Sequence, residues 1–385
     1  MKTLSLSNLK NSPIFQLSLS SKELFHSNFL FWVFSKYKDE SSLILSSFLG
    51  HDPGRLKIYK VTREEANKDL TVYFKDFNNK TSRLIIENKV KSIPTYNQLL
   101  RYTSVDLSDF YLLLSLSRPS FAVNNRISIT EFGREWSYIN YNELATLLSE
   151  IVPLIKVKSS YDGNIIEDYI QLAISLDQIA TKINNDVYNY YNENNIIINE
   201  LKEIRLHDFF LKQRHNHLSG EIANNIQKEL PHVSFVAAKK WHLANKRDIF
   251  VDSGFTNGTG ISEIKYVITE KNNNPVILGI QVQGMHFRLF IESDTSISLG
   301  IANRLYKEKL WFNFSKIVTE NIAFKEEYPL PGKNNKQFNT YSQTFFYRSV
   351  KLNECGNEQL INVFTHYFKY ILDNESDILK AINSN

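Results

Sequence analysis

Asp69, Glu87 and Lys89 are the three side chains whose types and spacing suit chemistry at a hard cation. Glu87 and Lys89 lie two apart, so in extended backbone they share one face. Asp69 precedes them across the polar turn Asp76-Phe77-Asn78-Asn79-Lys80. The β-rich runs Leu70 to Phe74 and Leu84 to Ile86 flank that turn and predict a hairpin. With the turn centred near Asn78, antiparallel register places Asp69 opposite Glu87 or one residue off it. Two carboxylates facing each other across strands destabilise a sheet by about 0.2–1 kcal/mol, and by more when desolvated. A divalent cation reverses that sign, and Mg²⁺ prefers one or two carboxylates, a carbonyl and waters. The hairpin offers Asp69, Glu87 and the Asn88 backbone carbonyl. Lys89, on the same face, would orient a water or steady a phosphate.

At these residues the chain resembles the PD-(D/E)XK nuclease superfamily, whose hairpin carries an Asp and then Glu-x-Lys, here Asp69 and Glu87-Asn88-Lys89. Gln98-Leu99-Leu100-Arg101-Tyr102 is similar to the Gln-x-x-x-Tyr motif of the branch related to RecB exonucleases, and side chains four apart share a helical face. Glu23-Leu24-Phe25-His26-Ser27, followed by Leu30 and Trp32, is similar to the first helix of one bacterial subfamily. The resemblance covers about residues 20 to 150. It departs at Lys68, which stands where proline is usual and leaves Glu64 or Glu65 as rival upstream acids.

The resemblance implies an α/β fold: a restriction-endonuclease-like mixed sheet flanked by helices, followed by a helical segment and an α+β C-terminal domain. It implies Mg²⁺, with Mn²⁺ as substitute, held by Asp69, Glu87, the Asn88 carbonyl and Glu23. Asp69, Glu87, Lys89, Gln98 and Tyr102 form the expected catalytic set, and Arg63, Lys91 and Arg101 the expected substrate contacts. The expected reaction is hydrolysis of phosphodiester bonds leaving a 5′-phosphate, with DNA as the polymer. Defence against phage or foreign DNA follows by analogy alone. The alternative is a nucleic-acid-binding or regulatory protein that keeps the fold without independent activity. Retention of the Asp, Glu and Lys argues against it.

The 385 residues exceed one usual domain and predict several, here 1–155 for the nuclease core, 156–230 for a helical extension and 231–385 for a C-terminal domain of unassigned role. That last domain is the expected contact for a homo-oligomer or a regulatory partner. Net charge is only +4, yet residues 55–101 hold eleven Lys or Arg against five Asp or Glu. Clustered cations of this kind bind phosphate backbones. The single cysteine, Cys355, excludes an internal disulfide and a cysteine-based zinc site and fits a reducing cytoplasm. No window resembles a signal peptide or membrane span.

In chain order, Ser21 caps a helix reaching about Tyr37, with Glu23 in its first turn. His26 reads as a packing residue rather than a ligand. His51-Asp52-Pro53-Gly54 is a turn, Pro94 opens the first turn of the Gln98 helix, and Phe110 to Leu116 is a strand buried on both faces. Trp136 through Ile151 reads as one helix with Pro153 beyond its end. Residues 165 to 230 are helical, interrupted by Asn192-Glu193-Asn194-Asn195, and His207, His215 and His217 lack the spacing of a metal site. Strands are expected at Val233 to Ala237, Ile261 to Thr269, Val276 to Val282 and Phe287 to Glu292. Turns are expected at Asn257-Gly258-Thr259-Gly260 and Lys271-Asn272-Asn273-Asn274, and a final helix from Leu360 to Ile382. Lys239-Lys240-Trp241-His242 and Phe345-Phe346-Tyr347-Arg348 interleave bases and aromatics, a pattern shared by single-strand stacking surfaces and ordinary half-buried strands, of which the strand is the preferred reading.

Overall fold

In the computed structural model the described residues are 14–15, 22–52, 54–119, 121–122, 124–181, 191, 196–236, 244–271, 274–293, 299–320, 322–329, 337–342 and 344–384. They fall into two compact units, Met1–Asn184 with Glu200–Phe210, and Asn185–Asn199 with Leu211–Asn385.

The first unit opens with helices α1 (Lys22–Lys36) and α2 (Lys38–Leu49). Aromatics recurring at helical spacing bury Phe29, Val33 and Phe34 along α1. Strands β1 (Leu56–Glu65), β2 (Lys68–Asp76) and β3 (Thr81–Lys89) form an antiparallel meander. The β1–β2 turn places Ala66 and Asn67 at positive φ, as the hairpin twist demands. The β2–β3 turn closes on Asp76, whose Oδ1 accepts the Asn78 and Lys80 amides at 2.8 and 2.9 Å. Helix α3 (Tyr96–Tyr102) then leads to β4 (Asp109–Ser115), which runs parallel to β3, and to β5 (Arg126–Ile129) and β6 (Arg134–Ile139). The sheet order β1-β2-β3-β4-β6-β5 is mixed, with β4 and β6 also parallel. Helices α4 (Tyr141–Lys158) and α5 (Ser160–Thr181) follow. The restriction-endonuclease-like mixed sheet flanked by helices is therefore present.

After α6 (Ile196–Glu203) and α7 (His207–Glu229), the second unit builds an antiparallel sheet. Its path is β11-β13-β10-β9-β8-β7, and β12 pairs with β13. The strands are β7 (Ile249–Thr256), β8 (Thr259–Lys271), β9 (Asn274–Gln283), β10 (His286–Ser293), β11 (Ala323–Tyr328), β12 (Asn339–Ser342) and β13 (Phe345–Glu354). Two short helices, α8 (Leu299–Lys307) and α9 (Ser315–Thr319), lie between β10 and β11. The closing helices α10 (Asn357–Asp373) and α11 (Glu375–Asn383), together with Leu218, Ile222 and Ile226 of α7, share the core of one sheet face.

The structure departs from several local expectations. Trp136 to Ile139 belong to β6; the helix starts only at Tyr141, where Asn140 and Glu143 form a capping box, and it runs through Pro153 to Lys158. That capping box is a helix-start signal that overrides the apolar spacing on either side of it. Pro94 lies before Thr95, the N-cap of α3, rather than in its first turn. Residues 233–236 form no strand, and Ala237 lies outside the described residues. The final helix is two helices separated at Asn374. Residues 192–195 and 239–242 also lie outside the described residues.

Candidate active site

The antiparallel register pairs Leu70 with Ile86, so the next step toward the open end of β2–β3 sets Asp69 against Glu87. Asp69 Oδ2 accepts the Asn88 backbone amide at 2.8 Å, which fixes that carboxylate to the rim of β3. Glu87 is 2 % exposed and Lys89 8 %. A carboxylate so buried needs charge-assisted partners. Lys89 Nζ lies 2.9 Å from Glu87 Oε1, and Gln98 Nε2 donates to the same oxygen at 2.7 Å. Alternation along β3 thus turns Glu87 and Lys89 to one side, and α3 delivers Gln98 onto it. Lys89 is also held through its backbone, whose carbonyl accepts the Leu116 amide at 3.1 Å.

Asn88 projects to the opposite side and is 1 % exposed. Its Nδ2 donates to Ser27 Oγ at 3.2 Å, and its Oδ1 accepts from the Tyr141 hydroxyl. His26, 1 % exposed, meets the Tyr169 hydroxyl at 2.9 Å through Nδ1 and the Tyr141 ring edge-on at 5.2 Å between centroids. Burial lowers the His26 pKa to about 3, so the ring is neutral at physiological pH. The same burial raises the Tyr169 phenol. His26 is a packing residue, as its place in an aromatic helix predicts. Ser27, Tyr141 and Tyr169 are supports that sequence reasoning missed. Tyr141 and Tyr169 are distant in sequence and carry no motif. Ser27 lies inside the Glu23-Leu24-Phe25-His26-Ser27 segment, which is its signal.

Glu23 lies in the first turn of α1, and its side chain is outside the described residues. Tyr102 ends α3, half-buried, with no hydrogen bond to Glu87 or Lys89 among the described residues. Arg101 is exposed, and Lys91 is half-buried two residues past β3. Arg63 donates to Asn28 Oδ1 and stands 5.5 Å from the Phe31 ring. The rival acids are placed at the β1–β2 turn: Glu64 is exposed, and Glu65 accepts from Thr62 Oγ1 at 2.5 Å and the Tyr73 hydroxyl at 3.0 Å. Those bonds, Thr62 first, hold Glu65 below the usual carboxylate range.

No group of three or more His, Cys, Asp and Glu side chains poised for a metal occurs among the described residues. The donor set is instead two carboxylates at adjacent cross-strand positions. That fits Mg²⁺, which keeps several waters and binds through one or two carboxylates plus substrate phosphates. It does not fit a cation needing an all-protein cage.

A mixed sheet with parallel β3, β4 and β6, an antiparallel β1–β2 extension and an acid–acid–lysine rim defines a class of fold and site. A family model described as the PD-(D/E)XK nuclease superfamily matches residues 13–171, and that part of the chain belongs to the superfamily. No curated protein and no solved structure matches the chain significantly.

Proposed function

We propose that the chain is a metal-dependent nuclease that hydrolyses phosphodiester bonds, with DNA as the expected polymer. The observation that carries this reading is the meeting of Asp69, Glu87 and Lys89 at one rim, with Lys89 and Gln98 both on Glu87 Oε1. Asp69, Glu87 and the Asn88 carbonyl would hold Mg²⁺, with Glu23 as a fourth donor, and the ion would supply Lewis-acid stabilisation of charge on the phosphoryl group. Lys89 places a positive charge where a phosphate's developing negative charge would form. Gln98 fixes the Glu87 carboxylate, and the Ser27–Asn88–Tyr141 chain of hydrogen bonds fixes the strand between the two reacting side chains. Arg63, Lys91 and Arg101 are proposed substrate contacts and Tyr102 a positioning residue. Residues 1–155, 156–230 and 231–385 are the proposed functional divisions, and foreign-DNA defence is the proposed setting.

Purified wild type, Glu87→Ala and Lys89→Ala, incubated with supercoiled, linear and single-stranded DNA and with RNA in Mg²⁺, Mn²⁺ or EDTA, test the reading. Metal-dependent cleavage should fall about 10²-fold or more in each variant, the usual cost of removing a group that stabilises transition-state charge. Equal cleavage by all three proteins would place the active centre elsewhere.

A further inference from the structure

The sheet face that carries Asp69 and Glu87 continues outward in a form that folding alone disfavours. Along β2, Asp69, Thr71, Tyr73 and Lys75 project to one side. Their β1 partners on that side are Thr62 opposite Thr71, Lys60 opposite Tyr73, and Lys57 opposite Lys75. Lys57 and Lys75 are both exposed and directly opposed. Like charges in that relation destabilise a strand pair. Neither of these lysines, nor Lys60, has an ion pair among the described residues. Arg55, near the far end, pairs with Asp52 at 3.1 Å and both are exposed.

Aromatic rings stand between these cations. Lys60 Nζ lies 4.8 Å from the Tyr73 ring, Lys75 Nζ 5.7 Å from the Tyr59 ring, and the Arg55 guanidinium 5.9 Å from the Phe77 ring. Tyr59 and Tyr73 are 6.2 Å apart. Tyr59 sits at the register shift between Ile58 and Lys60, a bulge that re-aims a side chain. Tyr59 is 42 % exposed and Phe77 71 %. Lysines alone would protect an edge strand from self-association; exposed rings do the opposite. Lysines and aromatics together match a surface that holds phosphates and stacks bases.

We propose that this outer face of β1 and β2 binds single-stranded nucleic acid, running from the Asp69–Glu87–Lys89 rim to the Asp76–Lys80 turn. Tyr59, Tyr73 and Phe77 stack unpaired bases, and Lys57, Lys60 and Lys75 hold phosphates. The rings decide for a single strand, because a duplex keeps its base faces stacked and offers them nothing. From Asp69 to Lys75 the path is about 20 Å at ~3.3 Å per residue, room for several nucleotides. The direction of this path rests on the nuclease reading, whereas the binding itself does not.

The test uses the full chain in EDTA and a labelled oligothymidylate, followed by fluorescence anisotropy, beside a duplex of equal length. Wild type should favour the single strand. Tyr59→Ala with Phe77→Ala, both at exposed positions, should weaken it about tenfold or more and leave the duplex nearly unchanged. Lys57→Ala with Lys75→Ala should weaken both and lower the salt slope for the single strand by about 1.4. Unchanged single-strand affinity in both pairs of variants, with unaltered melting, overturns the proposal. So does tighter duplex binding that ignores the rings. Cleavage assays in Mg²⁺ run alongside. Ring-dependent binding without cleavage of any polymer would refute the nuclease reading and leave the binding face standing. Cleavage that needs Glu87 and Lys89 but ignores these four substitutions would do the reverse.

Discussion

Glu87, Asn88 and Lys89 are consecutive, yet the pleat sends them to two environments, and each is completed by a different part of the chain. Glu87 and Lys89 meet Gln98, which a motif announces; Asn88 meets Ser27 and Tyr141, which the three-residue motif leaves as any residue at all. Removing the Tyr141 hydroxyl takes a donor from a buried amide, a loss of about 1–2 kcal/mol. Tyr141→Phe should therefore lower the urea midpoint at unchanged slope, and an unaltered midpoint would remove this bond from the site's support. The buried histidines give a pH signature. Burial lowers both His26 and His215 to about 3, far below the value of 6.5 they have when exposed. The unfolded chain thus takes up protons first. Stability from each is complete above about pH 6.5 and declines as pH falls toward 3, by up to about 1.4 kcal/mol per unit. Between pH 7 and 5 the loss should be about 2 kcal/mol per histidine. Chemical denaturation at those two values, repeated for His26→Gln, should show a smaller decline in the variant for the unit that contains it; an equal decline would mean that His26 does not carry the pH dependence.

Elements were legible where one signal dominated. The β2–β3 hairpin followed from a turn of Asp, Asn and Lys between β-rich runs, and the Asp76 side chain closes it. The buried β4 followed from its continuous apolar run. The edge strand β1 was missed because Lys57, Tyr59, Lys60 and Arg63 mask its alternation, and its bulge breaks the period as well. The β6–α4 junction was missed because Trp136 and Ile139 fit a helical stripe, although they lie on a strand ended by the Asn140 cap. In the second unit, the Asn257-Gly258 turn was read from its dipeptide, and both residues take positive φ. Gly279 carried no readable signal. A Cβ there would lie 1.9 Å from the Phe290 ring, which stacks on Phe345 at 4.7 Å. Gly279→Ala should cost about 1–3 kcal/mol through overpacking, visible as a lower melting temperature; a neutral result would mean that the ring has room to move.

For the whole molecule, the division of the chain into units governs how it can be cut. Leu218, Ile222 and Ile226 of α7 are fully buried in the core that includes Val251, Ile264 and Phe287. A fragment ending after residue 230 keeps those three side chains and loses the sheet that covers them. It should self-associate on gel filtration and lack a cooperative melt. A monodisperse fragment with a sharp transition would show that α7 does not need that sheet. Among the described residues no helix is long and apolar enough to cross a membrane, so this apolar stripe is accounted for by core packing.

The order of the segments, Met1–Asn184, Asn185–Asn199, Glu200–Phe210 and Leu211–Asn385, alternates between the units. The polypeptide therefore passes from one to the other three times. A single recombination breakpoint cannot carry either unit alone into another gene: a cut after Asn184 takes Glu200–Phe210, with the buried Leu201, Leu206, Phe209 and Phe210, along with the second unit, and a cut after Phe210 takes Asn185–Asn199 along with the first. Any one-breakpoint exchange of a unit therefore brings a short piece of the other with it.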